Sequence, residues 1–407
     1  MEDNNNTSSA KKEVNELNTN NSNRIITNIY DCLQRRFGPV RIVGSVDIDG
    51  YGTSHNITGA ETDPFVLSEY LRMPAHIKPP FCAHPHAGAC VISIQLEGYD
   101  IQPWDNLRGD EDEVLKAGGI YLLQSGSGCV HDEPNVPILS DKKNTMRRFF
   151  QIWTNPDIFQ NELPPPYSKV VSPETIPAVQ DGDVRVRILV GAYLGVKGAI
   201  QIESWSSTTI LHAIIPQGKH GSIAIPEQYN AHLFVESGSA SFVGRNDDED
   251  EYKVDMSHSQ FKILLSQPHT TTDSSTINKK TCPRLQVYNI GKEKKSEDDV
   301  DQGDLEVMIF MGIPHNKPFY KLLGYGGALM HKNEELVRAL MLEYEKNPKD
   351  FGRNNASFPP NTSDEKYEMI EGKYEKGDDA KPGLLGRWKE KETISKNQVN
   401  KKVYYER

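Results

Sequence analysis

The sequence predicts an all-β protein that is built from two related barrels or sandwiches. Apolar and polar residues alternate in short runs at 92–96, 184–188 and 211–215, which is the pattern of β-strands. A strand that ends in glycine occurs once in each half of the chain, at 93–98 and at 231–238, and this repetition indicates a duplicated domain. Many short strands separated by turns favour a sandwich or barrel over a parallel sheet.

The composition excludes several classes of function. The chain has 407 residues, so two or three domains are expected, and its net charge is −11. An acidic chain lacks the basic surface of a nucleic-acid-binding protein, and we therefore expect no direct nucleic-acid partner. No apolar run approaches the length of about 18 residues that a membrane span needs, so no membrane partner is expected.

Polar segments at both ends set the predicted domain boundaries. Residues 1–35 are predicted to be a disordered N-terminal tail and residues 353–407 a polar C-terminal tail, because few apolar side chains there can offset the entropy of ordering. Three consecutive prolines at 164–166 indicate an extended linker. The two β domains are accordingly placed at residues 36–163 and 164–352.

A single helix is predicted near the end of the second domain. Asn333 is a suitable N-cap, and Glu334 and Glu335 favour the positive end of a helix dipole. Apolar residues then recur at helical spacing between Leu336 and Tyr344, so this face is predicted to pack on the protein.

The cysteines and the N-terminus indicate the compartment. Five cysteines without a CxxC spacing favour a reducing environment, and the N-terminal residues lack the apolar core of a secretory signal. The expected location is the cytoplasm, the nucleus or both.

Two short motifs predict a metal site. His84 and His86 are two positions apart, as are His131 and Glu133, and residues at this spacing on a strand share a face. Two antiparallel strands in one barrel would bring both pairs to one point. Three imidazoles and a carboxylate suit Fe(II), Mn, Ni, Cu or Zn. Either pair alone would be attributed to chance, and only the two pairs together indicate a metal site.

Taken together, the motifs make the chain resemble the pirin family over residues 40–352. The matching segments are Asp63-Pro-Phe, His84-Pro-His-Ala-Gly88, Gly126-Ser-Gly-Cys-Val-His-Asp-Glu133, Gln151-Ile-Trp-Thr-Asn155, Tyr325-Gly-Gly-Ala-Leu-Met330 and Asn333-Glu-Glu335. The resemblance implies a bicupin, that is, two cupin-type barrels (double-stranded β-helices), with a closing helix in the second. It also implies that His84, His86, His131 and Glu133 bind one metal ion, most often Fe(II), in the first barrel.

The chain departs from the family pattern beside these ligands. Ala87, Ala89-Cys90 and Ser127 stand where the family commonly has Arg, Phe-Glu and Arg, so the surroundings of the metal are expected to differ and to be wider. Cys90 and Cys129 lie at even offsets from His86 and His131, and either could face the site. The alternatives are a small buried side chain and a reactive thiol.

The second barrel is expected to hold no metal. Its histidines, which are His212, His220, His232, His258 and His269, form no HxH or HxE pair. We expect this barrel to have a structural or interaction role.

The resemblance leaves two main functions open. One is an iron-dependent dioxygenase that cleaves flavonols such as quercetin with dioxygen, in which Glu133 is both a ligand and the catalytic base. The other is a non-enzymatic transcriptional co-regulator, whose iron oxidation state alters a surface that binds a transcription factor. A structural bicupin that keeps its metal for stability is a third alternative. The family also implies a monomer.

Overall fold

The computed structural model describes sixteen segments of the chain. These are residues 24–37, 39–46, 62–75, 83–108, 113–132, 145–154, 163–201, 208–245, 250–267, 284–291, 303–315, 319–324, 327–348, 351–352, 367–371 and 386–390. Strands dominate these segments, so the predicted all-β class is confirmed. No helix within them is long and apolar enough to cross a membrane.

The strands are numbered in chain order. They are β1 (Ile25–Asp31), β2 (Leu33–Phe37), β3 (Val40–Val46), β4 (Phe65–Pro74), β5 (His84–Ala87), β6 (Cys90–Glu97), β7 (Trp104–Asp105), β8 (Ile120–Gln124), β9 (Cys129–Asp132), β10 (Met146–Thr154), β11 (Tyr167–Val171), β12 (Ala178–Asp181), β13 (Val184–Val190), β14 (Ala192–Tyr193), β15 (Val196–Lys197), β16 (Thr209–Ile215), β17 (His220–Ala224), β18 (Asn230–Ser237), β19 (Ser239–Arg245), β20 (Glu251–Ser257), β21 (Lys262–Gln267), β22 (Arg284–Asn289), β23 (Leu305–Gly312), β24 (Tyr320–Gly324), β25 (Gly327–His331), β26 (Tyr367–Glu371) and β27 (Gly386–Glu390). Helix α1 is Glu334–Lys346, and two short 3-10 helices occupy Pro173–Thr175 and His258–Gln260.

The chain divides into two compact units that interleave along the sequence. The first unit comprises Tyr30–Ala178, Arg187–Ile210 and Gly312–Arg407, and the second comprises Met1–Ile29, Val179–Val186 and Leu211–Met311. The first unit thus contains residues of both predicted domains, 36–163 and 164–352. Each unit gathers segments that are not consecutive in sequence, because strands from distant parts of the chain pair within one sheet.

The N-terminal segment corrects the predicted tail. Residues 25–31 and 33–37 are strands, and Ile25 pairs in parallel with Arg245 of β19. Arg24 is 1% exposed, and its guanidinium donates hydrogen bonds to the carbonyls of Pro226 and Glu227 and to Ser266. Backbone carbonyls thus satisfy a buried cation, which holds the start of β1 in the second unit.

Further along the chain, the predicted polar C-terminal tail contains one described hairpin, in which β26 pairs with β27. The rest of residues 353–407, and residues 1–23 of the predicted N-terminal tail, lie outside the described residues.

Two large sheets build most of the first unit, which also contains the two-stranded sheets β14-β15 and β26-β27. One has seven strands in the order β11-β8-β6-β10-β4-β3-β2, and the other has five in the order β24-β25-β5-β9-β7. A core cluster joins side chains of both sheets, among them Leu123 and Trp153 of the seven-stranded sheet and Cys129 and Met330 of the five-stranded sheet. The inner face of each sheet is therefore the one that carries these residues.

Helix α1 covers the outer face of the five-stranded sheet. Its Val337, Leu340 and Tyr344 pack in one cluster with Val130 of β9 and Leu329 of β25. The helix itself is confirmed, since Asn333 caps it by accepting hydrogen bonds from the backbone N–H groups of residues 335 and 336. The apolar face of the helix packs on the first unit.

The second unit supplies most of an eleven-stranded sheet. The strand order is β12-β13-β16-β23-β18-β21-β1-β19-β22-β17, and β20 pairs with β19. The predicted strands at 184–188 and 211–215 are confirmed within β13 and β16, and the predicted strand that ends in Gly238 is confirmed as β18. Alternation also predicted one polar face for the strand at 92–96, but Ser93 and Gln95 of β6 are buried, because both faces of this strand are covered.

Gly327 lies where the backbone of β25 passes close to that of β5. The two strands run in parallel, with Ala328 opposite His86, and a side-chain carbon at position 327 would overlap the carbonyl of Pro85. We predict that Gly327→Ala lowers the free energy of unfolding by about 1–3 kcal/mol, the usual cost of overpacking. Denaturant titration would measure this loss, with Ser127→Ala, at an exposed position, as the control. Equal stability of the two variants would contradict it.

Candidate metal centre

The pairing of β5 with β9 brings the histidine motifs together. The strands are antiparallel, with His84 directly opposite His131 and His86 opposite Cys129. Residues that face each other across a ladder share a face, as do residues two apart, so the three imidazoles lie on the inner face of the five-stranded sheet. The predicted convergence of His84, His86 and His131 is thus observed.

The three rings form a compact triangle. Their centroids are 4.5 Å apart for His84 and His131, and 5.0 Å apart for each of the two pairs that include His86. One nitrogen from each ring lies within 4.8 Å of the others. The Nε2 atoms of His84 and His131 are 3.0 Å apart. Two metal–nitrogen bonds of about 2.0–2.1 Å at a right angle would separate the nitrogens by about 2.9 Å, so this spacing fits one shared ion.

Burial keeps the imidazoles of His86 and His131 neutral. His86 is 0% exposed and His131 is 1% exposed. Burial, followed by the charge of His84, lowers the pKa of His86 well below its usual value. The same causes, with His86 as a further charge, lower the pKa of His131. Neutral imidazole is the form that binds metals, so the donor set is ready for a metal ion at neutral pH.

The unsatisfied buried Nε2 of His86 is a second sign that the site fits a metal. Among the described residues, neither Nε2 of His86 nor Nδ1 of His131 has a hydrogen-bond partner. Nδ1 of His86 accepts a long bond of 3.4 Å from the backbone N–H of Ala328, which places the proton of the neutral ring on Nε2. A metal at Nε2 would require that proton to move to Nδ1, at the cost of a weak hydrogen bond.

Aromatic residues that the sequence motifs did not single out for the site flank the imidazoles. The rings of Trp153 and His86 meet edge to face at 4.9 Å, and Tyr121 lies parallel to His131 at 6.1 Å. Trp153 belongs to the matched Gln151–Asn155 segment, so the family resemblance could have indicated that this residue lies near the site. Tyr121 had no such signal, because only the packing of the seven-stranded sheet on the five-stranded sheet brings β8 close to β9.

A buried carboxylate holds Tyr121 in place. The Tyr121 hydroxyl donates to Oδ2 of Asp105 at 3.0 Å, and Nε of Arg108 donates to the same oxygen at 2.9 Å. Asp105 itself lies opposite His131 in the β7–β9 ladder. The backbone N–H groups of Leu107 and Arg108 donate to its other oxygen, so this buried anion is fully paired. The network fixes the ring that packs on His131.

Two more of the predicted site residues, Glu133 and Cys129, belong to the second motif. Glu133 follows the end of β9 and lies outside the described residues, so its roles as ligand and base stay predictions. Cys129 lies on the inner face beside the imidazoles, and burial, followed by the charge of Asp105, raises the pKa of its thiol well above the usual value. That thiol is therefore protonated, which favours a small buried side chain over a reactive one.

Cys90 and Ala87 do not face the site. Val91 of β6 belongs to the inner cluster, so Cys90, its neighbour, points to the opposite face of the strand. The even offset from His86 failed because the turn at Gly88 and Ala89 breaks the strand between them. Ala87 packs on the outer face with helix α1 and does not widen the site.

The described histidines of the second unit occupy separate positions. Nε2 of His212 lies 2.9 Å from a carboxylate oxygen of Glu306, and His232 stacks on Phe310. His220 stacks on Tyr288, while His258 packs against Phe261. His269 lies outside the described residues.

Comparison with known proteins agrees with the site and fold. Residues 51–154, which contain all three histidines, match the family model described as Pirin. A pirin-like protein of Arabidopsis thaliana is 29% identical over 180 residues, which cover 44% of this chain and 55% of that protein. A protein of Thermoplasma acidophilum, whose name provisionally assigns it quercetin 2,3-dioxygenase activity, is 22% identical over 274 residues, covering 63% of this chain and 87% of that protein.

A solved structure shows the same fold. The quercetin 2,3-dioxygenase of Acinetobacter baumannii superposes with a TM-score of 0.59 at 15% identity, over 81% of this chain and 99% of that one. The fold and the histidine site thus define a cupin-type β protein. The resemblance to the pirin family is confirmed, and it rests on the match of residues 51–154 to the Pirin model. The match spans little more than half the length of the first pirin-like relatives, at 55%, 57% and 58%.

Loss of one imidazole should abolish metal retention. We predict that His131→Ala weakens metal affinity by more than about 100-fold, since replacing even the hydrogen-bond partner of a ligand costs about 10–100-fold. Metal analysis after loading with Fe(II) under argon, followed by desalting, would measure this. His220→Ala, which alters a half-buried histidine of the second unit, is the matched control. Full metal content in His131→Ala would contradict the site.

Buried neutral histidines should make the metal-free protein sensitive to acid. The pKa values of His86 and His131 are lowered by burial and by neighbouring imidazoles, and burial lowers that of His232 to about 3. Below the unfolded pKa of about 6.5 the unfolded chain binds protons that the folded chain does not. Stability is therefore full above this pH and falls below it, by up to about 1.4 kcal/mol per pH unit for each group.

Denaturant titrations of metal-free protein at several pH values would measure this slope. His131→Gln removes one of the groups and should reduce the slope below about pH 6.5. A free energy of unfolding that does not change between about pH 6.5 and pH 5 would contradict the prediction.

Proposed function

We propose that the protein is a metal-dependent oxidoreductase of the pirin type, which cleaves a flavonol such as quercetin with dioxygen. The observation that carries the proposal is the convergence of His84, His86 and His131, all buried, on one point of the inner sheet face. The names of two similar proteins, from Thermoplasma acidophilum and Acinetobacter baumannii, add support, since both refer to quercetin 2,3-dioxygenase.

The ligands in this proposal are the three imidazoles, with Glu133 as the fourth. Glu133 is two positions after His131, so continuation of β9 by one residue would place its carboxylate on the same face. This donor set suits a borderline divalent ion, and we propose Fe(II). Such an ion supplies Lewis acidity, which lowers the pKa of a substrate hydroxyl bound to it.

The chain's own residues supply proton transfer and a dry environment. The carboxylate of Glu133 accepts the proton of the flavonol 3-hydroxyl as a general base. The inner cluster beside the histidines contains Leu123, Trp153 and Met330, which exclude water from the reacting ring. Tyr121, anchored by Asp105, keeps the His131 ring in one orientation.

Oxygen uptake on addition of quercetin tests the proposal. Protein loaded with Fe(II) under argon should consume dioxygen when quercetin is added. We expect Glu133→Gln, which keeps the side-chain size but removes the base, to reduce the rate by about 100-fold or more. His131→Ala should show no uptake, and His220→Ala should react like the wild type.

Metal content, measured on the same samples, separates two kinds of failure. Wild-type protein with full iron content and no quercetin-dependent uptake would contradict the dioxygenase activity. The non-enzymatic co-regulator predicted from the family would then be tested next, by capture of a protein partner with iron in each oxidation state.

A further inference from the structure

Four arginines lie side by side across four neighbouring strands of the seven-stranded sheet. In the strand registers, Arg36 of β2 is opposite Arg41 of β3, Arg41 is opposite Arg72 of β4, and Arg72 is opposite Arg148 of β10. We call these four residues the arginine row. Glu97 of β6 is opposite Arg148 and ends the row.

The arginine row occupies the sheet face away from the histidines. The other face of the same strands carries an apolar cluster that includes Ile42, Leu71 and Phe149. Trp153, which contacts His86, shares the face of Phe149 on β10, whereas Arg148 points to the opposite face. The row is therefore separate from the candidate metal centre and independent of the proposed function.

The row is accessible from one side of the sheet. Arg36 is exposed and lies on β2, the last strand of the sheet, and Arg41, Arg72 and Arg148 are half-buried. Nε of Arg148 donates to Glu97 at 2.6 Å, and the guanidinium of Arg41 donates to Gln34. Within the described residues, no carboxylate pairs with Arg36 or Arg72.

Such a row is unfavourable in the absence of an anion. Like charges directly opposite each other destabilise a sheet, and here three such pairs follow one another. Burial, then the charges of Arg36 and Arg72, lower the pKa of Arg41 below its ordinary value. Repulsion among the four arginines makes the folded state less stable than a row of alternating basic and acidic residues would. The chain, with a net charge of −11, contains many acidic residues, but within the described strands only Glu97 lies in this row.

The chemistry of the row indicates its ligand. Every member is arginine, whose planar guanidinium can donate two parallel hydrogen bonds to two oxygens of a phosphate. Lysine would serve equally well at positions where the side chain contacts only solvent. Neighbouring strands are about 4.8 Å apart, so four of them span about 14 Å. We propose that the arginine row is a binding site for a small oligophosphate anion that extends across the strands.

Calorimetric titration with tripolyphosphate at low salt tests this site. Wild-type protein should give saturable binding that weakens as salt is added. Arg36→Gln and Arg72→Gln should each weaken binding at least ten-fold. Arg36 is exposed, so the first variant keeps the fold, and melting curves of both variants would verify this. Arg185→Gln, at an exposed arginine of β13, is the matched control and should bind like the wild type.

Three outcomes would overturn the proposal. One is the absence of saturable binding by the wild type at millimolar tripolyphosphate. Another is equal affinity of the wild type and both arginine-row variants. The third is equal affinity for inorganic phosphate and tripolyphosphate, which would mean that an adventitious ion binds without recognition of linked phosphates.

Discussion

The antiparallel register between β5 and β9 is the constraint on which the rest of the first unit depends. It puts His84 opposite His131 and leaves Val130 on the other side of the same strand. Because strand side chains alternate between faces, a shift of one residue would turn the imidazoles to the outer face, under helix α1, and would turn Val130 to the inner face. The same register therefore positions the candidate ligands and creates the apolar surface on which helix α1 packs.

Residues from distant parts of the chain maintain this register. The strand β25 reaches β5 from more than 200 positions away and supplies the backbone N–H that contacts His86. Asp105 pairs across from His131 and anchors Tyr121 against its ring. The resulting site is buried and aromatic, and a low local dielectric keeps the imidazoles of His86 and His131 neutral and strengthens their interaction with any bound cation. The packing of the sheets therefore both fixes the orientation of the rings and lowers the dielectric around them.

The two faces of the seven-stranded sheet have different chemistry. One face contributes Leu123 and Trp153 to the cluster beside the histidines, and the other carries the arginine row. The separation follows from the period of two along a strand, which lets one strand, β10, contribute Trp153 to one face and Arg148 to the other. A single sheet can in this way support a neutral, buried site and a charged, accessible one.

The sequence by itself determined the all-β class, the strand containing residues 92–96, helix α1 with its cap and the histidine motifs. These features depend on periodicity and spacing within a few residues, which act locally. Only the tertiary structure decided that α1 packs on the first unit, that residues 24–29 join the second, that Cys90 points away from the site, and that Arg36, Arg41, Arg72 and Arg148 line up. Those outcomes depend on which strands pair and in what register, and pairing is set by burial and hydrogen bonding between segments far apart in the chain.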